Sequence, residues 1–341
     1  CFLKVPVALS TCGIVPHDLG SSIMSNSVSS NPGSIGLGYR LYRDFVSKKL
    51  SRLPGTPDPM LHFRLDSGLD VACDCWGPAS GLPALLLHGG GQTRHAWRST
   101  GMRLGEAGYR AMAVDLRGHG DSSWDDQGNY GHDSFLEDLL GVVAHCGLEK
   151  PVLIGASLGG AVCLLAVGEG LVEASALALV DTAPNIEPVG VKNLRSFMTA
   201  RPEGFERLEE VAESVAAYKG SGRRPKSLEG LAKNVRIDEE GRYHWHWDPR
   251  FMHRPSSSEN WEERRSRLEA CARRLALPTL LVRGGLSDML SEKGARSFLE
   301  LCPRSEYVSI DDAKHMVAGD HNDRFTAALL EFLNRSVSLG S

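Results

Sequence analysis

The chain has 341 residues, 42% hydrophobic and 23% charged, with a net charge of −4. That is the profile of a soluble globular protein with length for one large domain carrying an insertion, or for two ordinary domains. So small a charge excludes steering toward nucleic acid or an acidic membrane surface, and no apolar run approaches the ~20 residues of a membrane-spanning helix. The eight cysteines are dispersed. A chain with this much apolar sequence needs no disulfide framework, so reduced thiols are expected. Cys73 and Cys75 in "VACDCW" would face one side of a strand, but without a second such pair no zinc site is expected.

Residues 1–58 read as an N-terminal extension, partly disordered. Its first 34 positions are serine-rich and short of acid, as in "SSIMSNSVSSNPGS", which suits a polar tail better than a packed element. The expected location is cytoplasmic, with an organelle as the alternative that a transit-like serine-rich segment would imply.

From Pro59 onward the elements alternate. "MLHFRL" and "DVACDCW" form two opening strands joined through "DSG". "ALLLHGGG" is a continuous apolar run ending in glycines, as a strand buried on both faces should be. A helix through "MRLGEAGY", the strand "AMAVDLRG", a helix around "FLEDLLGVVAHC", the strand "PVLIGAS", the helix "GGAVCLLAVGE" and the strand "ALALVDTAP" follow. Strand and helix in this rhythm mean parallel βαβ units with helices on both faces, and ligands bind beyond the carboxyl ends of such strands.

The rhythm breaks over 185–255, where Phe205, Leu208, Ala212, Val215 and Tyr218 recur at helical spacing. It resumes with the helix "RRSRLEACARRL", the strand "PTLLVRGG", the helix "KGARSFLEL", the strand "EYVSID" and the final helix "DRFTAALLEFLNR". The expected organisation is a core over 59–184 and 256–335, a helical cap over 185–255 inserted between two strands, and a tail over 336–341.

"PVLIGASLGGAV" sets one hydroxyl, Ser157, among small residues where a strand gives way to a helix. A nucleophilic serine needs its oxygen projected from the sheet on a strained turn, and the next helix must cross close to the strand. Glycines two before and two after the serine, here Gly155 and Gly159, permit that approach, and Gly160 relieves the same crowding. This Gly-x-Ser-x-Gly elbow, in its strand–turn–helix setting, resembles that of the α/β-hydrolase family, over about residues 59–335. The fold class so implied is α/β, a mostly parallel eight-stranded sheet with helices on both faces and a helical cap.

The resemblance implies further assignments. The histidine base after the last strand would be His315, with His321 its competitor. The carboxylate in the loop after the penultimate strand would be Asp288, with Asp181 the alternative. The chain order Ser157, Asp288, His315 matches the family's. Oxyanion donors would be the amides of Leu158 and Gly90, with Gly91 the runner-up. His88 would brace its loop, and Asp115 and Arg117 would pair near "GHGDSSW" without catalytic duty.

A serine nucleophile argues against epoxide opening and dehalogenation, since a serine alkyl ether is a dead end. Chemistry at a carbonyl remains: an ester, thioester or lactone hydrolase working through an acyl-enzyme, with carbon–carbon bond hydrolysis, perhydrolysis or a non-catalytic receptor relative as alternatives. "HGGGQTRHAW" resembles the corresponding loop of cofactor-free haloperoxidases, including His95 and Trp97, but has Gly90 where that group carries a bulky apolar residue. Gly91, His95, Trp97, Trp245 and Trp247 are the expected substrate contacts. His244, His246 and Asp248 have metal-like spacing but read better as hydrogen-bonded groups. No cofactor or metal is expected. The partner is a small-molecule substrate, and a homo-oligomer remains open.

Overall fold

The computed structural model describes residues 50–219, 229–252, 261–317 and 322–338. All but nine residues of the expected N-terminal extension, together with His321, lie outside the described residues.

In chain order the elements are β1 (Ser51–Arg52), β2 (Leu61–Arg64), β3 (Asp70–Trp76), β4 (Leu82–Leu87), α1 (Arg98–Glu106), β5 (Tyr109–Val114) and α2 (His132–His145). Then come β6 (Val152–Ala156), α3 (Leu158–Gly168), β7 (Ala176–Val180), α4 (Pro188–Thr199), α5 (Leu208–Lys219) and α6 (Glu229–Ala232). The chain ends with β8 (Val235–Ile237), β9 (Tyr243–Trp245), α7 (Trp261–Arg273), β10 (Thr279–Gly284), α8 (Glu292–Leu301), β11 (Glu306–Ile310) and α9 (Asn322–Ser336).

Eight strands make the main sheet, in the order β11-β10-β7-β6-β4-β5-β3-β2. From β5 to β11 every neighbour is parallel, and β2 and β3 are the antiparallel edge. The central strands are apolar throughout because both faces are covered. Leu85 and Leu87 of β4 face one core with Leu153, Val162, Leu165 and Leu179. Ala84 and Leu86, alternate positions of the same strand, face the other with Ile154, Trp97, Phe325 and Phe332. Burying each large side chain stabilises the fold by about 1.5–3 kcal/mol. α3, "LGGAVCLLAVG", is apolar all round because α2 and α7 both pack against it.

Between β7 and β10, which are hydrogen-bonded neighbours, the chain makes its long excursion. That segment is not wholly helical. β8 and β9 form an antiparallel pair, and β1, from the expected extension, adds to the edge of β8 with Ser51 opposite Ile237. "RYHWHW" therefore contains a strand, and a two-residue piece far upstream completes its sheet. Alternation of His244 and His246 with Trp245 and Trp247 suits a strand, whereas the distant partner leaves no local signal.

Candidate active site

Ser157 joins β6 to α3 at φ 47°, ψ −111°, a left-handed backbone that costs a serine energy and thrusts its side chain off the end of the sheet. The surrounding glycines make room. A Cβ on Gly155 would come within 2.5 Å of the Gly159 carbonyl carbon, and one on Gly159 within 2.5 Å of the Leu87 oxygen. The turn is anchored on both sides, by Ser157 N–H donating to Val180 O at 3.0 Å and Gly159 N–H to His88 O at 3.2 Å.

His315, in the loop after β11, brings Nε2 to 3.1 Å from Ser157 Oγ. Its Nδ1 lies 2.6 Å from Asp181 Oδ2. The acid facing the imidazole is thus Asp181, the alternative, and not Asp288. Asp288 is exposed and accepts from Asn193 Nδ2 at 2.8 Å. Strand register gives the reason. β6 and β7 align Ala156 with Val180, so the next residue along each strand, Ser157 and Asp181, emerges at the same edge. Asp288 lies four residues beyond the end of β10. Asp181 is fully buried, also at positive φ (49°), and is well supplied with donors: Gly284 N–H at 2.8 Å on Oδ1 and Ser287 Oγ at 2.5 Å on Oδ2. Those bonds offset the desolvation of a buried carboxylate.

The glycine loop after β4 has three consecutive amides, and two are engaged. Gly89 N–H donates to Gln92 Oε1 at 2.9 Å, and Gly91 N–H to His119 Nε2 at 3.1 Å. Gly90 N–H and Leu158 N–H meet no acceptor among the described residues. Three buried imidazoles hold this loop. His88 Nε2 accepts from Leu116 N–H at 3.0 Å while Nδ1 meets Gly89 O at 2.8 Å. His119 Nε2 accepts from Gly91 while Nδ1 meets Arg117 O at 2.9 Å. His246 Nδ1 accepts from Gly120 N–H at 2.8 Å and its Nε2 reaches Gly91 O at 3.3 Å. Each ring must both accept from and donate to the backbone, which only the neutral form can do. Burial favours that form, pushing His88 down to about 4, His119 to about 3 and His246 well below its ordinary value.

Two cavities meet at Ser157 and Gly90. One, of about 30 Å³, is bounded by His315, Met316, Val317, Phe197 and Tyr218. The other, of about 810 Å³, is bounded by Leu158, Thr182, Ile186, Val191, Phe251 and Met289 and not by His315. Among the described residues no group of three or more His, Cys, Asp or Glu is arranged to hold a metal ion.

A sequence profile for the α/β hydrolase family matches residues 84–328. The chain belongs to the α/β-hydrolase family. It is similar to an esterase of Mycobacterium tuberculosis, 30% identical over 234 residues that cover 64% of this chain and 70% of that protein. A non-heme chloroperoxidase of Kitasatospora aureofaciens is 25% identical over 282 residues, covering 79% of this chain and 97% of the other. The fold matches that of an α/β hydrolase from Novosphingobium aromaticivorans, with a TM-score of 0.68 at 23% identity, covering 81% of this chain and 97% of that one. This α/β hydrolase has no helix among its described residues long and apolar enough to cross a membrane.

Several expected contacts of this α/β hydrolase lie elsewhere. Trp97 is fully buried in the sheet's other core, its ring 5.8 Å from Phe325. His95 lies behind the loop, with Nδ1 3.8 Å from Asp74 Oδ2, and burial beside Arg94 lowers it to about 4. Both follow the glycine loop in sequence, but the 3₁₀ turn Arg94–Trp97 directs them inward. Trp245 and Trp247 stack at 4.8 Å and stand behind Phe197, which is the ring that reaches the small cavity. Gly91 does line that cavity. Asp115 pairs with Arg94 at 2.5 Å, not with Arg117, whose guanidinium grips Asp138 at 2.5 and 2.6 Å. His244 bonds Asp238 at 2.8 Å.

Phe197, Met316 and Met289 were not singled out in the sequence, and Tyr218 stood out only as part of a helical apolar spacing. Apolar residues on amphipathic helices look alike whether they seal a core or line a cavity. His119 in "RGHGDSS" carried the only visible signal, a histidine between two glycines.

Proposed function

We propose that this α/β hydrolase cleaves carboxylic esters through an acyl-enzyme on Ser157. His315 takes the serine proton at Nε2 as Oγ attacks the carbonyl, and Asp181 holds the imidazole by Nδ1 and stabilises its cationic form. The oxyanion accepts hydrogen bonds from Leu158 N–H and Gly90 N–H, the amides that no other described group engages. His315 then protonates the departing alcohol, and water, deprotonated by the same imidazole, releases the acid.

The single observation that carries this reading is His315 bridging two partners through different ring nitrogens, 3.1 Å to Ser157 Oγ and 2.6 Å to Asp181 Oδ2. Similarity to an esterase favours an ester over the other carbonyl substrates. The test is covalent labelling by a fluorophosphonate: the native chain is labelled, Ser157→Ala is not, and His315→Ala loses hydrolysis of every ester the native chain turns over.

Similarity to a chloroperoxidase favours one second reading, in which hydrogen peroxide replaces water in attacking the acyl-enzyme and a peracid leaves. Peracid production that competes with ester hydrolysis at millimolar peroxide is its measurement.

A further inference from the structure

The two cavities that meet at Ser157 differ in volume, about 30 Å³ against about 810 Å³, and the chemistry dictates which part of the substrate lies in each. When the tetrahedral intermediate collapses, the bond from the carbonyl carbon to the alkoxy oxygen breaks. That oxygen takes the proton held on His315 Nε2, and the serine ester is left behind. The alkoxy group must therefore lie on the imidazole side, and the acyl group on the other. His315, Met316 and Val317 border the small cavity and none of them borders the large one. Leu158, Thr182, Ile186 and Met289 border the large one only.

We propose that the acyl group occupies the large cavity and the leaving alcohol the small one, so that the substrates are methyl or ethyl esters of bulky carboxylic acids. This rests on the reading of Ser157 as nucleophile and names the substrate class of that site. The small cavity holds roughly two water-sized spheres at about 15 Å³ each, room for a methoxy or ethoxy group and afterwards for the hydrolytic water. The large one lies within the roughly 300–1,000 Å³ of ordinary ligand pockets. Its lining mixes apolar Leu158, Ile186, Val191, Phe251 and Met289 with polar and charged side chains, so a bulky acyl group finds hydrocarbon contacts there. Phe197 and Tyr218, stacked at 4.4 Å, both line the small cavity. A large leaving group such as a coenzyme thiol exceeds the ~30 Å³ that the described residues bound there.

The experiment is a pair of ester series given to the full chain and followed by acid release at constant pH. One keeps the methyl group and enlarges the acid through acetate, hexanoate and naphthoate. The other keeps hexanoate and enlarges the alcohol through methyl, ethyl, butyl and cyclohexyl. The expected kcat/KM rises at least tenfold along the first series and falls at least tenfold along the second. Phe197→Ala should recover most of the loss on the butyl ester relative to the methyl ester. Ile186→Trp should instead penalise the naphthoate relative to the acetate. A flat or rising alcohol series together with a falling acid series overturns the assignment of sides, while fluorophosphonate labelling of Ser157 in the same preparation leaves the nucleophile standing. No labelling and no turnover of any ester removes both.

Discussion

Ser157 and Asp181 leave adjacent parallel strands at the same level, their neighbours Ala156 and Val180 aligned in the β6–β7 register. Both have positive φ, 47° and 49°. Two strained turns side by side aim a hydroxyl and a carboxylate at the same imidazole.

The two aspartates are separable by mutation. Asp181→Asn leaves His315 Nδ1 without an anionic partner and lets the imidazole adopt the wrong tautomer, so kcat for a methyl ester should fall by about 10³–10⁴-fold. Asp288→Asn, at an exposed position bonded to Asn193, should change kcat less than about threefold, within the range of surface substitutions. Steady-state kinetics of the two variants side by side decide between them.

His246 ties the inserted segment to the glycine loop, joining Gly120 N–H to Gly91 O. His246→Leu removes both bonds and leaves the Gly120 amide buried without its acceptor, a loss of about 1–3 kcal/mol in stability. Gly90 N–H should then drift from its aim, lowering kcat by about 10–100-fold, short of the cost of losing an oxyanion donor outright, with less effect on KM. His246→Gln, which can both accept and donate, should restore part of kcat. Denaturant titration alongside kinetics separates the two effects.

Stability should depend on pH through the same histidines. In the unfolded chain His88 and His119 take up a proton near 6.5, whereas burial in the fold delays this to about 4 and about 3. Between those limits the unfolded state binds more protons. Stability is therefore complete above pH 6.5 and drains as the pH falls, by up to about 1.4 kcal/mol per pH unit for each histidine. Urea midpoints measured from pH 7.5 down to pH 4.5 should fall steadily, and His88→Asn should flatten the slope.

Arg94 is fully buried against three carboxylates, 2.5 Å from Asp115, 2.9 Å from Asp121 and 3.1 Å from Asp74. Asp115 also accepts Arg94 N–H at 2.6 Å. Arg94→Met should destabilise the fold by about 3–5 kcal/mol, because it strands buried negative charge beneath the glycine loop. Thermal unfolding of the variant measures it, and a shift equivalent to less than about 1 kcal/mol would show that the cluster relaxes into water.

Local pattern sufficed for much of this protein. Continuous apolar runs of four to six residues, spaced by amphipathic helices, specify parallel strands buried on both faces. Gly155, Ser157 and Gly159 specify the elbow, because only small side chains let α3 cross so near β4 and β6. His315, after the last strand, follows from the same order of elements.

Whatever depends on pairing between distant segments was open until the chain was folded. Asp181 and Asp288 both follow strands on the correct edge and both precede His315, so chain order cannot separate them. Only the β6–β7 register, a property of two strands together, sets one beside Ser157. His95 and Trp97 follow the loop in sequence yet turn inward, because a 3₁₀ turn reverses their direction within four residues. β1 adds to a sheet whose other strands lie about 180 residues away. Periodicity reports which face of an element is apolar, and it carries no information about what that face meets.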